Sequence, residues 1–422
     1  MYKTIIIAAL TIFITLLSIY AQEDVIIKGK QNESLLPLGF IEFKPHLGES
    51  KKLPLEPGNI IAKDLDFSGR VKILKVPNKD SITRNYLLLN KAYAYVSGSY
   101  LYQGNKVILN CYLIDTETQD LIIGKKYSVK NTQLRLAAHK FSDELVYQLF
   151  GEQGIAQTKI VFVSKQSGNK EIYIMDYDGA NTFPITKNRT MNLFPCWLRN
   201  NASIIFTSFQ NGTPQLYTKH LPQGKETIFL YSKYLNAGPD YNGVDGEIVY
   251  TSSVKGNTEI FRISEAGEKP TRLTFSRALE ASPSWSPNGY EIVFTSNRSG
   301  NPMLYIIDRD GSNLRRLTYE GKYCTSASWS PKGDKIAFCR MTSEGRMDIY
   351  TISPSGDNLQ RLTSDAGSNE APTWSPDGRS LVFSSTRLGR QEIYTMREDG
   401  SRQQQITNFG KNSSPGWSYF FN

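Results

Sequence analysis

Residues 282–289 read Ser-Pro-Ser-Trp-Ser-Pro-Asn-Gly, and the apolar run Glu291–Thr295 follows directly. A turn comes next, then a second apolar run at Met303–Ile307, then Asp308-Arg309-Asp310-Gly311, then Leu317-Thr318. Short β-branched and aromatic runs bounded by Gly, Pro and Asn are strands joined by tight turns. The stretch therefore predicts three or four strands in one small unit.

The unit recurs. The tryptophans Trp197, Trp285, Trp329, Trp374 and Trp417, with Tyr241 in the empty slot, step by 44, 44, 44, 45 and 43. A second marker, an aromatic after an aliphatic residue, falls at Tyr173, Tyr217, Phe261, Tyr305, Tyr350 and Tyr394. A third, a turn glycine, falls at Gly179, Gly224, Gly267, Gly311, Gly356 and Gly400. A period in the forties with four strands per unit is the signature of propeller blades. Six aliphatic strands begin near Ile160, Ile204, Ile248, Ile292, Ile336 and Leu381. The first has no Trp strand before it, and the last Trp strand, Ser414–Phe420, has no aliphatic strand after it. The C-terminal strand is thus expected to pair with Lys159–Ser164 and close a six-bladed ring, removing open sheet edges. The lattice tryptophans are expected to fill the space between blades. The Pro-x-Gly tripeptides at 287–289, 331–333 and 376–378 read as hairpin turns. Blade two, Gln210–Leu230, is degenerate, with Leu230 in a Thr slot and Tyr241 in the Trp slot.

The fold class expected is α+β multi-domain, a small N-terminal α/β domain followed by the propeller. Met1–Ala21 has one lysine, Lys3, an apolar stretch Ile5–Ile19, and Tyr20-Ala21. It reads as a secretory signal cut near Ala21/Gln22, with an uncleaved anchor as the alternative. Residues 22–151 lack Trp and the 44-residue period. Strands are predicted at Leu36–Phe43, Tyr93–Leu101, Lys106–Ile114 and Leu121–Val129, with a helix over Glu56–Phe67. Leu134, Ala138, Phe141, Leu145 and Leu149 form one apolar stripe at helical spacing, with Asn131 as the expected cap and Gly151 as the stop. The second domain is placed at 158–422, after a linker of about Gly151–Thr158.

The chain has 422 residues and a formal net charge of +9. Its lysines and arginines are scattered over loops rather than striped, which argues against nucleic-acid binding and fits attraction to acidic surfaces. Catalytic signals are missing. His46, His139 and His220 lie far apart, no serine sits in a Gly-x-Ser-x-Gly elbow, and no phosphate loop is present. None of Cys111, Cys196, Cys324 and Cys339 has metal-ligand spacing. Cys324 and Cys339 flank the turn at 331–333 and are read as either a cross-strand disulfide or two buried thiols. Asp176–Gly179 and Asp308–Gly311 look faintly like calcium loops but lack the downstream Glu, so Asx-Gly turns are expected. His139, one turn from Arg135 and Asp143, is expected to be a hydrogen-bonded structural histidine. No catalytic residue, cofactor or metal is predicted. The alternative is a propeller that binds or cleaves glycans through channel carboxylates.

The run Arg135-Leu-Ala-Ala-His-Lys-Phe-Ser-Asp-Glu144, with Gly151-Glu-Gln-Gly-Ile155 and Thr158-Lys-Ile-Val-Phe162, resembles the helix and propeller junction of the TolB family. This family is the soluble periplasmic component of the Tol-Pal system of Gram-negative bacteria. The Trp-Ser-Pro-Asp-Gly blade at 374–378, and Ala94–Ser99 and Tyr112–Asp115, resemble the same family, and the likeness spans essentially all of the chain after the signal. Blade two and residues 44–90 depart from the pattern. The resemblance implies a non-enzymatic, monomeric periplasmic protein that helps keep the outer membrane attached during constriction. It implies docking of Pal, a peptidoglycan-associated lipoprotein, at the propeller mouth, through loops leading into the Trp strands. Those here are Asn236-Ala237, Glu280-Ala281-Ser282, Thr325-Ser326 and Asn369-Glu370. It also implies docking of TolA, an inner-membrane-anchored partner, on the N-terminal segment Gln22, Glu23, Asp24, Val25, Ile26, Ile27 and Lys28. That alternating segment suits strand addition to a sheet edge.

Overall fold

The computed structural model describes residues 35–45, 56–76 and 80–421. The signal reading and the segment Gln22–Lys28 lie outside the described residues. The chain divides into two compact units, Met1–Gly154 and Ile155–Asn422.

The first unit is a mixed sheet with helices. Strands β1 (Leu36–Phe40), β2 (Lys44–Pro45), β3 (Val71–Lys75), β4 (Ala94–Gln103), β5 (Lys106–Asp115) and β6 (Leu121–Lys130) form one sheet in the order β3-β1-β4-β5-β6, with β2 also on β4. β1 runs parallel to β3 and β4, and β4, β5 and β6 are antiparallel. Helices α1 (Pro57–Ser68) and α3 (Leu134–Phe150) pack together, and their apolar faces cover the sheet through Ile61, Leu65, Phe141 and Leu145. A further helix, α2 (Asp80–Leu89), buries Leu87 beside Leu74 and Ala92. Gly151 ends α3 in the left-handed region at φ 69°, as expected of a stop glycine. Asn131 does not cap α3. It opens a 3-10 turn, Asn131–Gln133, and α3 starts at Leu134 with no side-chain cap. His139 is buried, its Nδ1 2.8 Å from Asp64 Oδ2 on α1, and the Ser142 hydroxyl donates to the same oxygen at 2.7 Å. The triangle ties α3 to α1, which is the structural role expected of that histidine.

The second unit is a ring of six four-stranded antiparallel sheets. The inner strands, in chain order, are Asn192–Trp197, Asn236–Asn242, Glu280–Trp285, Cys324–Trp329, Asn369–Trp374 and Asn412–Trp417. Each packs against the inner strands on both sides, so the six enclose a central channel. Asn412–Trp417 pairs with Lys159–Ser164, in the register Asn412 to Ser164 and Trp417 to Ile160. The tail therefore closes blade one as expected. All five tryptophans and Tyr241 are buried. Two indole N–H groups reach the neighbouring blade: Trp197 donates to the Gly416 carbonyl and Trp374 to the Ser328 carbonyl, both at 3.1 Å. The tryptophans thus act as packing, and Trp197 and Trp374 also as clamps between blades.

Candidate protein-docking site

Every inner strand breaks at the same level. Opposite the single residue Phe294 lie both Ser282 and Pro283, because the pairing shifts between Ala281 and Ser284. Equivalent shifts occur in the other five inner strands. The first bulged residue is left-handed in each blade: Phe194, Gly238, Ser282, Ser326, Ala371 and Ser414 all have φ between 49° and 63°. The second is Pro195, Pro239, Pro283, Ala327, Pro372 and Pro415. A bulge leaves one residue without a ladder partner, and proline has no N–H to leave unpaired there. The bulges set a ring of residues, small in every blade but the one with Phe194, at the end of the channel where the inner strands begin, called the mouth here.

The residues expected at the mouth divide into two kinds. Ala237, Ala281, Ser282, Thr325, Ser326 and Glu370 are half-buried and stand at the bulges. Asn236, Glu280 and Asn369, each the first residue of an inner strand, are buried in seams between blades. Asn369 donates to Asp348 Oδ1 at 3.0 Å, where the Thr363 hydroxyl also donates. Asn192 and Asn412 make the same bond to Glu171 and Glu392. Asn236 donates to Gln215 at 2.8 Å in blade two, where Leu230 stands in the threonine slot. In one seam, Met303 and Cys324 replace acid and asparagine together.

Glu280 departs from this pattern. It occupies an asparagine slot in the seam that also holds Glu259. Its Oε1 accepts from Arg298 at 2.8 Å and from the Ser296 hydroxyl at 3.1 Å, and its Oε2 has no partner among the described residues. Burial pushes its carboxyl above the usual range, and the nearby Glu259 charge adds to this against the opposing pull of Arg298. One strand position before the Trp slot, Asp240 accepts the Trp285 N–H at 2.7 Å, and the Cys196 thiol lies 3.8 Å from its other oxygen. Burial pushes Asp240 up to about 6.

His220 is exposed at the end of its strand, against the Ser203 hydroxyl. His46 lies outside the described residues. Cys324 faces Arg340, and Cys339 faces Thr325. One residue out of register places the two side chains on opposite sheet faces, and both cysteines are free thiols. The disulfide alternative is thereby overturned. Asp176–Gly179 and Asp308–Gly311 are tight turns whose glycine N–H returns to the Asp carbonyl at 2.9 Å, with φ 89° at Gly179 and Gly311. The bulge escaped the sequence reading, although its signal, a proline two residues before nearly every lattice aromatic, is plain in the chain.

Residues 146–420, more than half of the chain, match the TolB beta propeller domain family. The Tol-Pal system protein TolB of Geobacter sulfurreducens is 42% identical over 100 residues, 24% of this chain and 23% of that protein. That of Syntrophotalea carbinolica is 33% identical over 210 residues, 46% of this chain and 47% of that protein. The chain spans less than half the length of these curated relatives in the matched stretches. The crystal structure of TolB from Acinetobacter baumannii shares the fold, with a TM-score of 0.78 at 22% identity, covering 92% of this chain and 98% of that one. Six blades, their closure by the tail, and a family match that runs through the whole ring lead to one conclusion: the chain belongs to the TolB β-propeller family.

Proposed function

We propose that this chain is the propeller component of a periplasmic Tol-Pal system and works by docking proteins, without catalysis. The observation that carries the reading is the level ring of bulges. Six inner strands bulge around one mouth, most of them with small half-buried residues there, on a scaffold fixed by interblade seams. Such a rigid concave end suits a folded partner. The partner proposed is a Pal-like peptidoglycan-associated lipoprotein, met at Ala237, Ala281, Ser282, Thr325, Ser326 and Glu370, with Asn236, Glu280 and Asn369 holding those positions from behind. The N-terminal segment Gln22–Lys28 is proposed to engage a TolA-like inner-membrane protein by strand addition. Together these contacts would hold the outer membrane to the wall during constriction. Among the described residues, no helix is long and apolar enough to cross a membrane.

The test is affinity capture from the envelope of the source cell with the tagged chain. Recovery of a peptidoglycan-bound lipoprotein, reduced by substitution at Ser282 and Ser326, supports the reading. Recovery of none, or turnover of a glycan that is lost on replacing a mouth carboxylate, overturns it.

A further inference from the structure

Six loops lead from the outer strand of one blade into the inner strand of the next, at 187–191, 231–235, 275–279, 319–323, 364–368 and 408–411. They surround the mouth, and they are unequal. Three consecutive loops carry Tyr231, Phe275 and Tyr319 at a 44-residue step, 62%, 77% and 72% exposed. Tyr234, Leu279 and Tyr323 in the same loops are exposed as well. The corresponding first positions of the other loops are Lys187, Ser364 and Asn408, and the exposed large apolar side chains there are limited to Met191 in the first of these loops and Phe194 in the strand that follows it.

Two of the three exposed rings are held in place. The residue before Phe275 is Thr274, whose hydroxyl is fixed in the seam on Glu259, so the next side chain is turned outward. Arg272 donates through Nε to the Thr274 carbonyl at 2.7 Å, and its guanidinium carbon lies 4.5 Å from the Phe275 ring centroid. Arg316 repeats the device on the Thr318 carbonyl at 2.6 Å and over Tyr319 at 4.9 Å. A ring held beneath a fixed guanidinium loses little freedom on docking, which is the property of an interface anchor. The charge around the mouth is lopsided too. The six loops hold six basic residues, Lys187, Arg189, Lys233, Arg277, Lys322 and Lys411, against two acidic ones, Glu320 and Asp365.

We infer that the mouth is two-sided: the loops around Tyr231, Phe275 and Tyr319 form the adhesive half, and its occupant is a folded protein whose docking face carries apolar side chains rimmed by carboxylates. Apolar anchors supply the hold, and the basic rim steers an acidic partner and makes its capture salt-sensitive. Exposed apolar side chains gathered within a polar rim mark contact surfaces. This rests on the docking reading above and specifies which half of the mouth bears it.

The experiment measures the affinity of the full chain for the soluble domain of the source cell's peptidoglycan-associated lipoprotein, at low and high salt. Phe275→Ser and Tyr319→Ser are each expected to weaken it about tenfold or more. Ser364→Ala and Asn408→Ser, on the other half, should change it less than about twofold. Lys233→Glu with Arg277→Glu should remove most of the salt dependence. Thermal melts equal to wild type show that the variants fold, as expected for exposed sites. Normal binding by the Phe275 and Tyr319 variants, or equal loss on both halves, overturns the two-sided mouth and leaves the docking reading standing. No binding by the wild-type chain overturns the docking reading itself.

Discussion

Tyr419 stands edge-on to Tyr241, with ring centroids 6.5 Å apart and planes at 79°, and its hydroxyl donates to the Tyr241 carbonyl at 3.1 Å. Tyr241 is the one lattice position where tyrosine replaces tryptophan. The chain runs on past the closing strand, where Asn201 bonds to both the N–H and the carbonyl of Tyr419, and brings a second ring to that smaller one. The seam beside the degenerate blade is thus filled from the far end of the sequence. The tail latches twice, onto blade one by strand pairing and between blades two and three by this ring.

Tyr419→Ala should therefore destabilise the propeller by about 2–3 kcal/mol, the value of burying most of one aromatic side chain. Tyr419→Phe keeps the ring and loses one hydrogen bond, for about 1 kcal/mol. Urea unfolding followed by tryptophan fluorescence distinguishes the two. Equal losses would mean that the hydroxyl, not the ring, does the holding.

The bulges make a prediction of opposite signs. Gly238 and Ala371 occupy the same slot, at φ 63° and 53°. Left-handed backbone costs a residue with a Cβ about 1 kcal/mol. Gly238→Ala should lower stability by about that amount, since a Cβ there meets no atom within 4 Å and only the backbone objects. Ala371→Gly should raise it by somewhat less, because glycine also loosens the unfolded chain. Paired thermal melts check the signs.

The ring was legible because each blade repeats one solution to one packing problem. Trp285 and its counterparts had to recur wherever two sheets meet. The adjustments within a blade were harder to read. Ser282 is an ordinary residue in sequence, and only the pairing reveals its left-handed backbone. The same limit applies to Cys324 and Cys339, whose distance from a turn does not set their register when a bulge intervenes. In the first unit β3 and α2 escaped notice, since Val71–Lys75 is short and, among the described side chains of α2, only Leu87 is buried. Asn236, Glu280 and Asn369 carried a functional expectation from their position in the chain. Their burial places them within the seams, and the docking chemistry is proposed for the exposed loops before them.

Those seams differ in what a single change would cost. Thr407 accepts the Ile393 N–H at 2.9 Å and donates to Glu392 at 2.6 Å. Thr407→Val strands a buried N–H and removes one donor from a buried carboxylate, so a loss of about 2–3 kcal/mol is expected. Thr318 accepts the Leu304 N–H in the same way, but its hydroxyl points to Met303 Sδ at 3.6 Å. Thr318→Val should cost about 1–2 kcal/mol, because no charge loses a partner. Denaturant midpoints of the two variants, compared at equal slope, test the ordering.

Asp240 links the seams to pH. Its carboxyl is buried against Cys196 and the inner strand of the next blade, and burial raises it from 3.8 to about 6. The folded state therefore binds a proton at Asp240 that the unfolded chain has already released. Stability from this group is complete below about 4 and is lost as pH rises through about 6. A rise of that size corresponds to at most about 3 kcal/mol, and the residue's partial exposure makes the observed step smaller. Asp240→Asn retains an oxygen for the Trp285 N–H and carries no charge at any pH. The variant should match the wild type near pH 4 and exceed it progressively up to pH 7, and melts across that range measure the gap. A gap that stays constant with pH would show that Asp240 carries no linked proton.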